Sequence, residues 1–197
     1  MRKGERTREA ILERAVILFN QKGYANASMS DIMEATGLQK GGIYNHFKSK
    51  EELAVEAFEY GFQITGKAML RYIQGRTQPL DRLKGFIEFF IEYGMHPPVM
   101  GGCILLNTAL EADDTNPVLY ERARQAMESW RDLLRRTIRR GIAQGQLRDT
   151  LNTEALISLI ISTLEGSIMM SKLYNDVTHI EYAVEFLLQH IEHSVNV

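Results

Sequence analysis

Few side chains in this 197-residue sequence could carry covalent chemistry, and their spacing speaks against it. The five histidines are His46, His96, His179, His190 and His193, and the one cysteine is Cys103. A nucleophile–base pair needs a serine or cysteine placed beside a histidine, and none of the five falls in a recognised arrangement of that kind. His190 and His193 lie one helical turn apart, yet no third metal ligand is near them. No phosphate-cradling glycine loop, nucleotide fingerprint or two-metal carboxylate set occurs. Catalytic residues, metal and cofactor are therefore not expected. What remains is recognition chemistry. Lys40, Tyr44, Asn45 and His46, followed by Lys48 and Lys50, crowd side chains that hydrogen-bond to phosphates or base edges into one short stretch.

Charge is distributed in the same sense. Residues 1–50 hold nine Lys or Arg against five Asp or Glu, a balance of +4, and residues 51–197 hold fourteen against twenty, a balance of −6. The overall −2 conceals a basic head on an acidic body, which is how a local phosphate-binding surface looks in sequence. With 45% hydrophobic and 24% charged residues the chain has the composition of a globular protein. One cysteine excludes an internal disulfide and suits a reducing cytoplasm. The N-terminal stretch is amphipathic and does not resemble a signal peptide.

The elements that must position these residues follow from periodicity, and they predict an all-α chain. Ile11, Ala15 and Leu18, with Leu12, Val16 and Phe19, form one apolar stripe, and Gly23 ends that helix. Ser28 or Ser30 can cap a second helix with Asp31 in its first turn. It stops at Thr36-Gly37-Leu38, where Gly37 permits the positive φ of a tight turn. A third short helix runs from Gln39 through Phe47, anchored by Ile43 and Phe47. Its adjacent glycines, Gly41 and Gly42, each cost about 1 kcal/mol in helix propensity. That cost makes sense where the backbone must approach something bulky. A short helix, a glycine turn and another short helix make a helix-turn-helix.

The run from Ala27 to Leu53 closely resembles the signature of the TetR family of transcriptional regulators. The Asp31-Ile32 pair, the Gly37-Leu38 turn and the string of Lys40, Gly41, Tyr44, His46, Phe47, Ser49, Lys50 and Glu51 carry the resemblance, over roughly residues 6–55. It implies a DNA-binding head at residues 1–50 and a helical effector-binding and dimerisation body at residues 51–197. It also implies a homodimer that sets its third helices in the major groove of a palindromic operator. Carried over by position, Lys40, Tyr44, His46 and Lys50 would hold phosphates, and Ser28 and Ser30 would meet the backbone at the second helix; Lys48 joins the DNA-binding set from its own place, where a following helix would cross the backbone. Gln39, Gly41 and Asn45 would lie nearest the bases. Gly42 stands where many members have Thr or Ser, which removes one phosphate contact.

In the body, Glu51 to about Gln74 reads as a long helix with Leu53, Ala57, Phe58 and Phe62 on its buried side. Pro79 opens the next helix, which His96-Pro97-Pro98 breaks. A short apolar segment, 103–110, precedes Asp113-Asp114, and Asn116 with Pro117 starts a helix that Gly145 ends near Gln144. Along it, Arg135, Arg136, Arg139 and Arg140 read as a solvated face paired with Glu128 and Asp132. Residues 153–173 are apolar on nearly every side, but Glu165 and several hydroxyls argue against a membrane span. With the final helix, about 178–193, they are expected to form the homodimer interface.

A small-molecule effector of unidentified chemistry is expected among Phe62, Phe86, Tyr93, Met100, Cys103, Leu106, Asn107, Trp130, Leu134, Glu165 and Met169. For Asn107 and Glu165 an internal hydrogen bond competes with a ligand contact. Cys103 has no cation near it in sequence, so an inert buried thiol is favoured over a sensor of oxidants or electrophiles. The combined reading is a cytoplasmic repressor that binds DNA and is released by a ligand, with activation still open. A helical adaptor that binds protein through its helix-turn-helix is the alternative, and salt dependence separates the two.

Overall fold

The computed structural model describes residues 3–113 and 116–194. Among them the chain is all-helical, with α1 Lys3–Lys22, α2 Met29–Thr36, α3 Lys40–Tyr44, α4 Lys50–Ile73, α5 Pro79–Met95, α6 Ile104–Ala112, α7 Pro117–Ala143, α8 Thr153–Tyr174 and α9 Thr178–His193. Asp114, expected in the turn before α7, lies outside the described residues.

The helix ends follow local chemistry. Gly23 takes φ +86° after α1, and Gly37 takes φ +69° after α2, its N–H returning to Met33 O at 2.9 Å. Both are left-handed positions where a β-carbon would be strained. Of the two serines that could cap α2, Ser28 does so. Its Oγ accepts the Asp31 N–H at 3.1 Å, while Asp31 Oδ2 accepts the Ser28 N–H at 2.7 Å. Ser30 lies inside the helix. Pro79 occupies the first turn of α5, and Asn116 Oδ1 accepts the Leu119 N–H at 3.0 Å to cap α7.

Two compact units emerge. The first comprises residues 1–65 and 98–126, and the second residues 66–97 and 127–197. In the first unit α1 packs on α2 and α6, and α2 packs on α3. Its core holds Ile11, Leu12, Val16, Ile32, Ile43, Phe47, Leu53 and Phe58. Burying a side chain such as Ile43 or Phe47 is worth about 1.5–3 kcal/mol, and these two hold α3 to the rest. At Gly61, α4 comes so close to its neighbours that a β-carbon there would sit 2.5 Å from Ile104 Cδ1 and 2.6 Å from Val16 Cγ2.

In the second unit α8, α9 and α5 pack on one another. Phe86, Phe90 and Trp130 meet edge to face or tilted at 5.7–6.0 Å between ring centroids. Helix α8 is long and apolar enough to cross a bilayer, but its Leu156, Ile157, Ile160, Leu164 and Ile168 are buried within this unit. The opposite side of α8 and α9 stays open. Leu159, Met169, Leu173, Tyr174, Tyr182 and Phe186 are exposed, Leu173 to 71% and Tyr182 to 66%.

Candidate nucleic-acid interface

Helix α3 is shorter than its sequence suggests. It spans only Lys40–Tyr44, with Gln39 as N-cap and Asn45 as C-cap. The expected run to Phe47 does not continue as regular helix: the His46 N–H turns to Ile43 O at 2.9 Å, three residues back, although the Phe47 N–H still reaches Ile43 O at 3.1 Å. Brevity does not hide the side chains. Gln39, Lys40, Gly41, Tyr44, Asn45 and Lys48 are exposed, His46 and Lys50 are half-buried, and Ser28 and Ser30 are exposed on and beside α2. All ten belong to the first unit. Ile43 and Phe47, each 1% exposed, turn the opposite side of the segment inward. The result is a polar face backed by two buried anchors.

Local contacts preset that face. Lys40 Nζ lies 5.7 Å from the centroid of Tyr44, and Lys50 Nζ lies 4.5 Å from that of Tyr24. Such contacts hold a cation beside a hydroxyl without neutralising it. Tyr24 Oη donates to Glu51 Oε1 at 3.1 Å. Burial, reinforced by that carboxylate, pushes the Tyr24 hydroxyl up to about 12, so it remains a neutral donor. Lys22 reaches Asp31 at 2.6 Å. Together with the Ser28 hydroxyl and N–H, it holds the Asp31 carboxyl well below the usual carboxylate range. The Asp31 carboxylate is thereby committed to the capping box. Gly41 has open space where a β-carbon would be, and at Gly42 a β-carbon would meet Leu38 at an ordinary 3.7 Å. Nothing inside the protein requires glycine at Gly41, which leaves room for an outside partner to do so.

Residues distant in sequence hold the head, and no local signal marked them. Glu111 of α6 accepts the N–H groups of Tyr24 and Ala25 at 2.8 and 2.7 Å, fixing the turn after α1. Arg8 lies 4.9 Å over Phe47 and pairs with Glu56. Asn20 Nδ2 donates to Met100 O and Gly102 O, and Asn107 Nδ2 donates to Asn20 Oδ1 at 2.9 Å and Gly101 O at 3.1 Å. Asn107 thus makes the internal bonds that compete with a ligand contact.

The residues expected around an effector divide between the units. Phe62, Met100, Cys103, Leu106 and Asn107 fall in the first, and Phe86, Tyr93, Trp130, Leu134, Glu165 and Met169 in the second. Phe86, Tyr93, Trp130, Leu134 and Glu165 are buried, whereas Met100 and Met169 are 58% and 53% exposed. Cys103 is buried, and its Sγ accepts the Leu106 N–H at 3.5 Å as the cap of α6. Asn107 opens on a small cavity of about 30 Å³, shared with Phe58, Ile104 and Glu111, which is the volume of a water molecule.

The expectation of a uniformly ion-paired arginine face on α7 needs correction. Arg135 pairs with Glu154 at 2.5 Å and with Asp132, while Glu128 pairs with Arg131 at 3.4 Å. Arg136 and Arg140 have no ion pair among the described residues and open onto a separate groove. They lie on a different side of α7 from Glu154.

The fold and site are those of an all-helical protein with a helix-turn-helix whose exposed face is cationic and hydroxylated, and comparison with known proteins gives its family. Residues 11–57 match the family described as bacterial regulatory proteins, tetR family, and residues 79–187 match the tetracyclin repressor-like C-terminal domain. A TetR transcriptional regulator from Chloroflexus aurantiacus is 42% identical with a TM-score of 0.95, covering 99% of this chain and 98% of that one. The HTH-type transcriptional repressor DhaR of Mycobacterium sp. (strain GP1) is 24% identical, covering 84% of this chain and 82% of that protein. At the level of fold, the TetR-family regulator CifR, as a cysteine mutant complexed with a 26-bp double-strand operator DNA, superposes with a TM-score of 0.82 at 22% identity, covering 92% and 94%. This chain belongs to the TetR family.

Proposed function

We propose that the protein is a homodimeric transcriptional repressor that binds a palindromic DNA operator and is released by a small molecule. The observation that carries this reading is the exposed polar face of α3, set on two buried anchors and flanked by Lys40, His46, Lys48 and Lys50. In this reading residues 1–50 are the DNA-binding domain and residues 51–197 the effector-binding and dimerisation domain, at work in the cytoplasm. Lys40, Tyr44, His46, Lys48, Lys50, Ser28 and Ser30 hold phosphates, and Gln39, Gly41 and Asn45 lie against base edges in the major groove. The operator-bound CifR structure supports the choice of DNA over a protein partner, and the DhaR name supports repression.

The open apolar side of α8 and α9 supports the dimer. Leu173, Tyr174, Tyr182 and Phe186 are each more than half exposed in the single chain, and exposed apolar clusters mark interaction surfaces. A twofold copy of the same surface would cover them. Effector binding in the body would then shift the population of α4 positions between a state that fits two successive major grooves and one that does not. The residues named for the effector remain proposed contacts, five in the first unit and six in the second.

The test is a fluorescence-polarisation titration against the palindromic DNA upstream of the protein's own coding region, at several salt concentrations. The reading expects tight, selective binding whose log-log salt slope is about −0.9 for each phosphate neutralised. A shallow slope together with equal affinity for unrelated DNA would overturn it and favour the adaptor.

A further inference from the structure

The groove that takes up Arg136 and Arg140 lies wholly within the second unit. Gly75, Arg76, Thr77, Pro79 and Arg82, from the end of α4 to the first turn of α5, form one wall, and Leu133, Arg136, Thr137 and Arg140 of α7 form the other. Its volume is about 650 Å³, within the range of sites that hold small organic molecules. Four guanidinium groups line it and no carboxylate does.

Two of the four are held in place by the protein. Arg76 donates to Glu88 Oε2 at 2.7 Å and to the Asp81 carbonyl at 3.1 Å. Arg82 turns one nitrogen toward the carbonyls of Ile73 and Arg76, at 3.4 and 3.5 Å. A guanidinium has five N–H donors, so each keeps some for another partner. Arg136 and Arg140 are more telling. They stand four apart on one face of α7, where like charges repel, and no described carboxylate relieves them. On the side of this helix that meets Glu154 the arginines are paired, Arg131 with Glu154 and Arg135 with Glu154 and Asp132. Of the α7 arginines without an ion pair among the described residues, Arg136 and Arg140 line the groove and Arg139 lies outside it.

We propose that this groove is a binding site for a small polyanion, an organic molecule carrying two or more carboxylate or phosphate groups. Guanidinium forks match both anions in bidentate geometry, which makes arginine rather than lysine the fitting residue. The Thr77 hydroxyl adds a neutral donor, and Pro79 and Leu133 give an apolar floor against which the carbon body of the ligand can lie. A small anion fits better than a second stretch of duplex. Outside residues 1–50 the chain has a balance of −6, which repels an extended polyanion but not one seated among four arginines. The site does not depend on whether the head reads DNA.

The experiment is calorimetric titration of the full-length protein with inorganic pyrophosphate and with citrate, against sodium chloride at matched ionic strength. Saturable binding of either probe, at one per chain, is expected. Arg136→Gln and Arg140→Gln should each raise Kd about tenfold or more, the scale of one charge-assisted hydrogen bond. Arg139→Gln, exposed and outside the groove, should leave it unchanged. Without ligand, the melting temperatures of Arg136→Gln and Arg140→Gln should equal or slightly exceed that of the parent, because repulsion is relieved. Absence of saturable binding by both probes would overturn the proposal, as would equal affinity in the Arg136→Gln/Arg140→Gln double variant. Loss of DNA salt slope in that double variant, with no small-anion binding in the parent, would overturn it too by assigning the groove to nucleic acid.

Discussion

At the scale of single residues, the head separates what it needs for folding from what it offers outward. Gly41 shows this most simply. It lies in a helix, costs about 1 kcal/mol relative to alanine, and has no neighbour to avoid. Gly41→Ala should therefore stabilise the free protein by several tenths of a kcal/mol in urea unfolding, while weakening operator binding. A variant that gained stability and kept full DNA affinity would show that the backbone at Gly41 does not approach the duplex. Asp31 offers a second test. Its carboxyl is held below the usual range by Lys22 and Ser28, so it contributes stability wherever it is ionised in both the folded and the unfolded chain. That contribution is complete above the unfolded carboxylate's value, about 4, and is lost as pH falls through the lower folded value. Asp31→Asn should accordingly melt below the parent at pH 7, and the gap should narrow only as pH drops under about 4. A gap that closed by pH 6 would contradict the assigned bonds.

At the scale of elements, the turn after α1 depends on a residue 87 positions away. The Glu111 carboxylate takes two backbone N–H groups that a helix end would otherwise leave to water. Glu111→Ala should lower the unfolding free energy by about 1–3 kcal/mol, read from chemical denaturation. An unchanged midpoint would mean that water replaces it. Helix boundaries were the legible part of this scale, because they are written in residues whose backbone preferences are local. Gly23, Gly37, Pro79, Asn116 and Gly145 mark ends or starts in sequence and do so in the structure. Two things were less legible. Periodicity alone extended α3 to Phe47, since Ile43 and Phe47 are spaced as in a helix whether or not the backbone between them continues as one. The pairing of α7 arginines was also opaque. Sequence spacing offered Glu128 and Asp132 as partners, but Glu154, from another helix, decides which arginines are neutralised. Such tertiary choices have no signature in a window of a few residues.

At the scale of the whole molecule, the sequence marked the basic head and the two apolar closing helices. It did not gather the proposed effector lining into one place, because apolar residues on mid-chain helices look alike whether they fill a core or face a cavity. The exposed side of α8 and α9 leads to a firm expectation. Leu173→Glu with Phe186→Glu puts charges on residues that are 71% and 57% exposed in the single chain, so each subunit should fold while its dimer falls apart. Light scattering after gel filtration should report a mass near 22.5 kDa instead of twice that. Operator affinity should drop with it, since one head engages one half-site. A double variant that stayed dimeric would place the interface elsewhere.

The central claim is that the α3 face reads DNA, and one comparison tests it most directly. Operator binding by polarisation is measured side by side for the parent and for Lys40→Ala/Tyr44→Ala, with the melting temperature and mass of each. Both side chains are exposed and neither supports the core, so the variant is predicted to stay folded and dimeric while losing operator binding. A folded, dimeric double variant that bound the operator as tightly as the parent would contradict the claim.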